Sequence, residues 1–81
     1  MVRLLGNPTT SNEITVEVTG AAGQSLRLGL SNSQGQLIGQ QTISEAGSLE
    51  RHVVRLGELP GVYFLQAITP TERKTIKVVR H

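Results

Sequence analysis

Cysteine, aspartate and tryptophan do not occur in this sequence, and tyrosine and phenylalanine occur once each. Without cysteine there is neither a disulfide framework, the usual reinforcement of small extracellular modules, nor a thiolate metal site. The missing aspartate removes the commonest carboxylate of catalytic triads, calcium loops and magnesium sites. Long apolar runs are missing too. Nothing approaches the roughly 20 residues of a membrane-spanning helix, and the segment from Met1 to Gly6 is too short for the apolar core of a signal peptide. A formal charge of +2 raises nucleic-acid binding as a class, but stacking surfaces need aromatic rings, and one available ring amid scattered basic residues does not supply them.

The residues left for chemistry are thinly spread. His52 and His81 stand alone, without the i+2 or i+4 spacing that zinc sites use. Glu13 and Glu17, four apart on an extended segment, share a face at roughly 13 Å, wider than paired glycosidase carboxylates. Six serines occur, at positions 11, 25, 31, 33, 44 and 48, none in a nucleophile-elbow context. No glycine-rich stretch joins a strand to a helix in the manner of a phosphate loop. The residues therefore give no reason to expect an enzyme, a cofactor, a bound metal or a small-molecule substrate.

What is present is punctuation at intervals of about ten residues. Turn signals fall at Asn7-Pro8, Gly20 to Gly23, Asn32 to Gly35, Ser44 to Gly47, Leu59-Pro60-Gly61 and Pro70 to Glu72. Between them lie seven short segments with a period of two. The second alternates Ile14, Val16 and Val18 against Glu13, Thr15 and Glu17, and the third sets Leu26, Leu28 and Leu30 against Arg27. The fifth places Val54 and Leu56 inward, against Arg51, Val53 and Arg55; the seventh places Ile76 and Val78 on one side, Lys77 and Val79 on the other. In the fourth, Leu37 and Ile43 fit one face, Ile38 breaks the pattern, and Gly39 suggests a bulge. With no helical period and short loops, residues 1–81 form one all-β domain: a seven-stranded antiparallel immunoglobulin-like β-sandwich, with a small closed barrel as the alternative.

The two aromatic residues are neighbours. On a strand, adjacent side chains point to opposite faces, so only one ring can enter the core. Tyr63 aligns with Leu65 and Ala67 in an apolar row and is the expected core residue. Phe64 is then the outward ring, and Val62, Phe64 and Ile68, with Val53 nearby, form the expected apolar contact strip.

Several spaced motifs carry a family resemblance across most of the chain. Leu5-Gly6-Asn7-Pro8 retains an Asn-Pro pair near the start; Asn32-Ser33-Gln34-Gly35, flanked by Leu30 and Leu37-Ile38, is a turn of the Asp-x-x-Gly kind. Leu56-Gly57-Glu58-Leu59-Pro60-Gly61-Val62-Tyr63 resembles the pattern Leu-x-x-Leu-Pro-(Ala)-Gly-x-Tyr, and Lys77-Val78-Val79-Arg80 supplies a closing lysine followed by apolar residues. In this order and spacing the chain resembles the type A C-terminal sorting domain of the type IX secretion system. Leu5 and Gly6 stand where members carry an aromatic residue and proline, Ser31 where an aromatic is frequent, and one residue is missing between Pro60 and Gly61.

The resemblance implies an address label. A larger secreted cargo protein would precede it, pass the inner membrane under its own signal peptide, and cross the outer membrane of a Gram-negative bacterium to be released or held at the cell surface. The implied partners are the outer-membrane translocon, a shuttle protein and a sortase-like signal peptidase. Translocon recognition is expected at Lys74, Lys77, Val78, Val79 and Arg80 of the last strand, read as an exposed strand edge. Asn7, Pro8, Gly35, Gly61 and Tyr63 are expected to be motif residues with structural roles. Weak pairing of two copies through strand edges is a further expectation. The competing reading is an accessory fibronectin-like or carbohydrate-contacting module of an extracellular enzyme, which the shortage of aromatic residues disfavours.

Overall fold

The structure, a computed structural model, describes residues 1–5 and 12–81. The strands are β1 (Val2–Leu5), β2 (Glu13–Thr19), β3 (Leu26–Asn32), β4 (Leu37–Ile43), β5 (Leu49–Arg55), β6 (Gly61–Ile68) and β7 (Arg73–Arg80). They form a three-stranded sheet in the order β1-β2-β5 and a four-stranded sheet in the order β4-β3-β6-β7, with every pairing antiparallel. The chain thus crosses between layers after β2, β4 and β5, and the fold is a seven-stranded antiparallel immunoglobulin-like β-sandwich. No helix occurs among the described residues. The Asn7-Pro8 pair lies outside them.

The period of two places the core. Ile14, Val16 and Val18 of β2 face Leu26, Leu28 and Leu30 of β3 and Tyr63, Leu65 and Ala67 of β6, with Val54, Leu56 and Val78 completing the buried set. Each fully buried leucine or valine contributes about 1.5–3 kcal/mol relative to leaving it in water. Two alanines that strand periodicity does not flag, Ala21 and Ala46, are also buried. Their loops are tied together: Gly23 donates its amide to the Ala46 carbonyl and Ala46 donates to Gln24, both at 2.8 Å, which closes one end of the sandwich.

The turn chemistry is equally specific. Asn32 accepts the Gln34 and Gln36 amides on its Oδ1, each at 3.0 Å, and Gly35 takes a φ of 83° that a side chain resists. This is why asparagine serves where an Asp-x-x-Gly turn uses aspartate. The fourth segment departs from expectation. Leu30 pairs with Gly39 but Ser31 pairs with Leu37, so Ile38 is an extra residue, a bulge. The bulge reverses the alternation, and Leu37 and Ile43 therefore lie on opposite faces, not one. Leu37 covers the outer side of Gly29, where a Cβ would stand 3.6 Å from its Cδ1.

Tyr63 is the plug of the β5–β6 corner. Its ring is 5% exposed and its hydroxyl donates to the Leu59 carbonyl at 2.5 Å, the back-bond of a tyrosine corner in sandwiches of this class. Gly57 lies so close that a Cβ there would be 2.6 Å from the hydroxyl oxygen and 3.2 Å from Cε1. Tyr63→Ala is expected to cost about 3–5 kcal/mol, Tyr63→Phe about 1 kcal/mol, and Gly57→Ala about 1–3 kcal/mol through crowding. Urea denaturation midpoints in that order check the corner, and an unchanged midpoint for Gly57→Ala would contradict it.

Candidate interaction surfaces

The outer face of the three-stranded sheet is a charge lattice. Glu17 sits at its centre and accepts from Arg3 on β1 at 3.2 Å and from Arg51 on β5 at 2.8 Å, both its direct cross-strand partners. The hydrogen bond from Arg51, aided by the positive fields of Arg3 and Arg51, holds the Glu17 carboxyl below its ordinary range against the opposing effect of desolvation. Glu13 shares this face, with its carboxylate 4.0 Å from the Arg55 Nε. Each of the two carboxylates therefore faces an arginine, and neither is aimed at the other. Val53 also belongs here, opposite Thr15. It is on the far side of the sandwich from Phe64 and has no part in a strip with it, because β5 pairs with β2 and not with the β6 layer.

On the inward row of β5, His52 Nε2 lies 2.8 Å from Glu50 Oε1, while Glu50 Oε2 accepts the Gly47 amide at 2.6 Å. The Gly47 amide, then the His52 contact, lower the Glu50 pKa. Among the described residues no three His or carboxylate side chains converge on a point where a metal could sit. An open cleft of about 480 Å³ runs between the β4 and β5 edges, lined by Leu28, Leu30, Ile38, Gly39, Val54 and Leu65. It opens because the inward row of β4 is Gly39, Gln41 and Ile43, and only Ile43 packs against the core.

Strand β7 is the last in its sheet and pairs with β6 along one side. Its alternation divides the five residues expected to be read together. Lys74, Val78 and Arg80 belong to the inward row, opposite Ala67, Tyr63 and Gly61; Lys77 and Val79 belong to the outer face, opposite Phe64 and Val62. Val78 is 0% exposed and is a core residue, so its side chain offers nothing to a partner. Arg80 is half-buried and its Nη1 donates to the Gly57 carbonyl, which commits it to the tyrosine corner. Lys74 and Lys77 are exposed and Val79 is half-buried.

The residues expected to form one outward strip do not all stand together. Phe64 is 36% exposed, between Ser31 on β3 and Lys77 on β7, and Val62 pairs with Val79 in the adjoining row. Leu37, thrown outward by the bulge and 59% exposed, lies beyond Ser31 in the Phe64 row. Ile68 stands four residues along β6 between Arg27 and Arg73, separated from Phe64 by Gln66. The adjoining apolar residues are therefore Val62, Phe64 and Val79, with Leu37 on the same face across Ser31. Periodicity alone missed Leu37, and the one signal that could have placed it was Gly39 following the misfit Ile38.

Both glutamates with lowered pKa have the same consequence. A carboxyl ionising more readily in the folded chain contributes stability above its unfolded pKa, and that contribution disappears as pH falls through the lower folded value. Thermal unfolding should give a melting temperature that is flat near neutrality and falls below pH 4.5, the ordinary glutamate value for both groups. Glu17→Gln should flatten part of that acid limb, and 1 M salt should shrink the Glu17 share because the lattice is exposed.

No family model, curated protein or solved structure matches this chain.

Proposed function

We propose that the chain is a C-terminal sorting domain of the type IX secretion kind, acting by being bound and not by catalysis. The observation carrying this reading is the closing strand. β7 is an edge strand whose Lys77 and Val79 stand on the outer face beside Phe64 and Val62, giving a cation next to an apolar patch. The order of the sequence motifs supports it, since each described one has a distinct task in a sandwich. Asn32 to Gly35 form the β3–β4 turn, Leu59 to Tyr63 form the corner, and Val78 anchors the closing strand.

In this reading the outer-membrane translocon and shuttle protein recognise the side chains of the outer face, Lys77, Val79, Val62 and Phe64, with Lys74 at the strand's other end. Recognition of a folded module by a mixed apolar and basic patch has the usual division of labour, with the ring filling a pocket and the lysine steering the encounter. The sortase-like peptidase would then detach the domain, leaving the cargo secreted or on the cell surface.

Deleting the end of β7 would remove Val78 from the core, so export and folding would be confounded. Point variants at exposed positions separate them. Residues 1–81 fused behind a periplasm-directed fluorescent cargo, in a host possessing the secretion system, should be exported. Lys77→Glu and Phe64→Ser should each leave most of the cargo in the periplasm, with exported fluorescence reduced roughly tenfold, while the purified domains melt within a few degrees of the parent. Full export of the double variant would refute the reading.

A further inference from the structure

We propose that β4 is a self-pairing edge, through which two copies of this chain join antiparallel along residues 39–43 about a two-fold axis at Gln41. Among the described residues this two-layer sandwich has four strand edges, β1, β4, β5 and β7. β1 carries Arg3; β5 carries Glu50, Arg51, His52 and Arg55; β7 carries Arg73, Lys74, Lys77 and Arg80. Charges on edge strands discourage pairing with another chain. β4, with the sequence LIGQQTI, carries no charge and no proline. Of these four strands it is the one without a charged residue, so two copies of it meet with no like charges nearby in any register, and a net charge of only +2 adds little repulsion at longer range.

The register follows from which side chains face which way. Pairing with β3 places Gly39, Gln41 and Ile43 inward and Gln40 and Thr42 outward. Antiparallel strands must match inward with inward, so a two-fold axis passes through a residue and not between two. Centred on Gln41, the ladder sets Gly39 against Ile43 twice, Gln40 against Thr42 twice, and Gln41 against itself. This centre uses every residue beyond the bulge; a centre at Gln40 would run the ladder into Ile38. The Gly39–Ile43 pairing is complementary in size. A Cβ at Gly39 would touch nothing within 4 Å, and the cleft opens there, so Ile43 of the second copy has space to lie in.

The same bulge that ends the ladder keeps it finite. Two copies close on each other, and the edges left at either end of the joined eight-stranded sheet are β7 strands with four cations apiece. The contact is short, below the area of a standard protein interface, so the dimer is weak and concentration-dependent. It needs nothing of the sorting role and concerns the edge of the sheet opposite to β7.

Sedimentation velocity on the purified chain over a series from low micromolar to millimolar should show a monomer passing to a dimer. Gln41 is exposed, so Gln41→Lys and Gln41→Glu each leave the fold intact, which melting curves check. Each places two like charges face to face on the axis and should weaken self-association by roughly tenfold or more. An equimolar mixture of the two variants should recover it, because lysine then opposes glutamate. A wild type that stays monomeric throughout, single variants that associate as well as the parent, or a mixture that fails to recover pairing would each overturn the proposal. So would association lost on Lys77→Glu instead, which would assign it to β7.

Discussion

A buried phenol must hand its proton to something, and in this chain the acceptor within reach is the Leu59 carbonyl. Much of the molecule is arranged around that bond. The chain bends at Glu58 and Leu59, which lets a residue four back accept, and Gly61 opens β6 at a φ of 143° that few side chains tolerate. Gly57 has no side chain because the hydroxyl occupies the volume one would need. Val78, the cross-strand partner of Tyr63, is sealed by the ring, and Arg80 bonds back to the Gly57 carbonyl. One side chain thus joins the end of β5, the start of β6 and the end of β7, elements that are far apart in sequence. In a domain with one tyrosine and one phenylalanine there is no second ring to share that task. The outward course of Phe64 is a by-product of the same bond, since the neighbour of an inward residue on a strand must face out.

The strands and most of the core were legible because one periodicity governs both. Ile14, Val16 and Val18, or Leu26, Leu28 and Leu30, can bury an apolar row in only one register. What escaped depended on partners remote in sequence. Leu37 changed faces because the ladder with β3 slips by one residue at Ile38, and an insertion into a pairing is visible only when both strands are placed. Val53 was misplaced because alternation tells which side of a strand a residue occupies but not which sheet the strand joins. Val78 and Arg80 looked available because an edge strand is exposed along its backbone, whereas half its side chains still face the core. Ala21 and Ala46 escaped because a small residue buried by a loop–loop contact has no periodic signature.

The two outer faces have opposite characters for a reason rooted in their width. Three strands give Glu17 an arginine on each side, and the resulting lattice satisfies its own charges, leaving little for a partner to gain by contacting it. Four strands place small residues, Gly29 and Ser31, at the middle of the other face, with Leu37, Phe64 and the Val62–Val79 pair about them. Apolar surface left outward on this sheet is where contact with another molecule gains most per residue.

Edges impose the remaining constraint. A closed barrel has none, but a sandwich of seven strands must manage four, and it does so here in different ways. β1 is cut to four residues; β5 and β7 are charged; β4 is bent by a bulge. Charge repels any strand of like sign, whereas a bulge only shortens the stretch along which pairing can run. β4 is thus protected against indefinite stacking but not against a short, matched contact, and its inward row leaves open space at Gly39 where a further apolar side chain fits. The four-stranded sheet consequently has one edge lined with charge and one that is uncharged and shaped by a bulge. Lengthening the uncharged stretch past Ile38, by deleting the bulge residue, would remove the only device that limits the second.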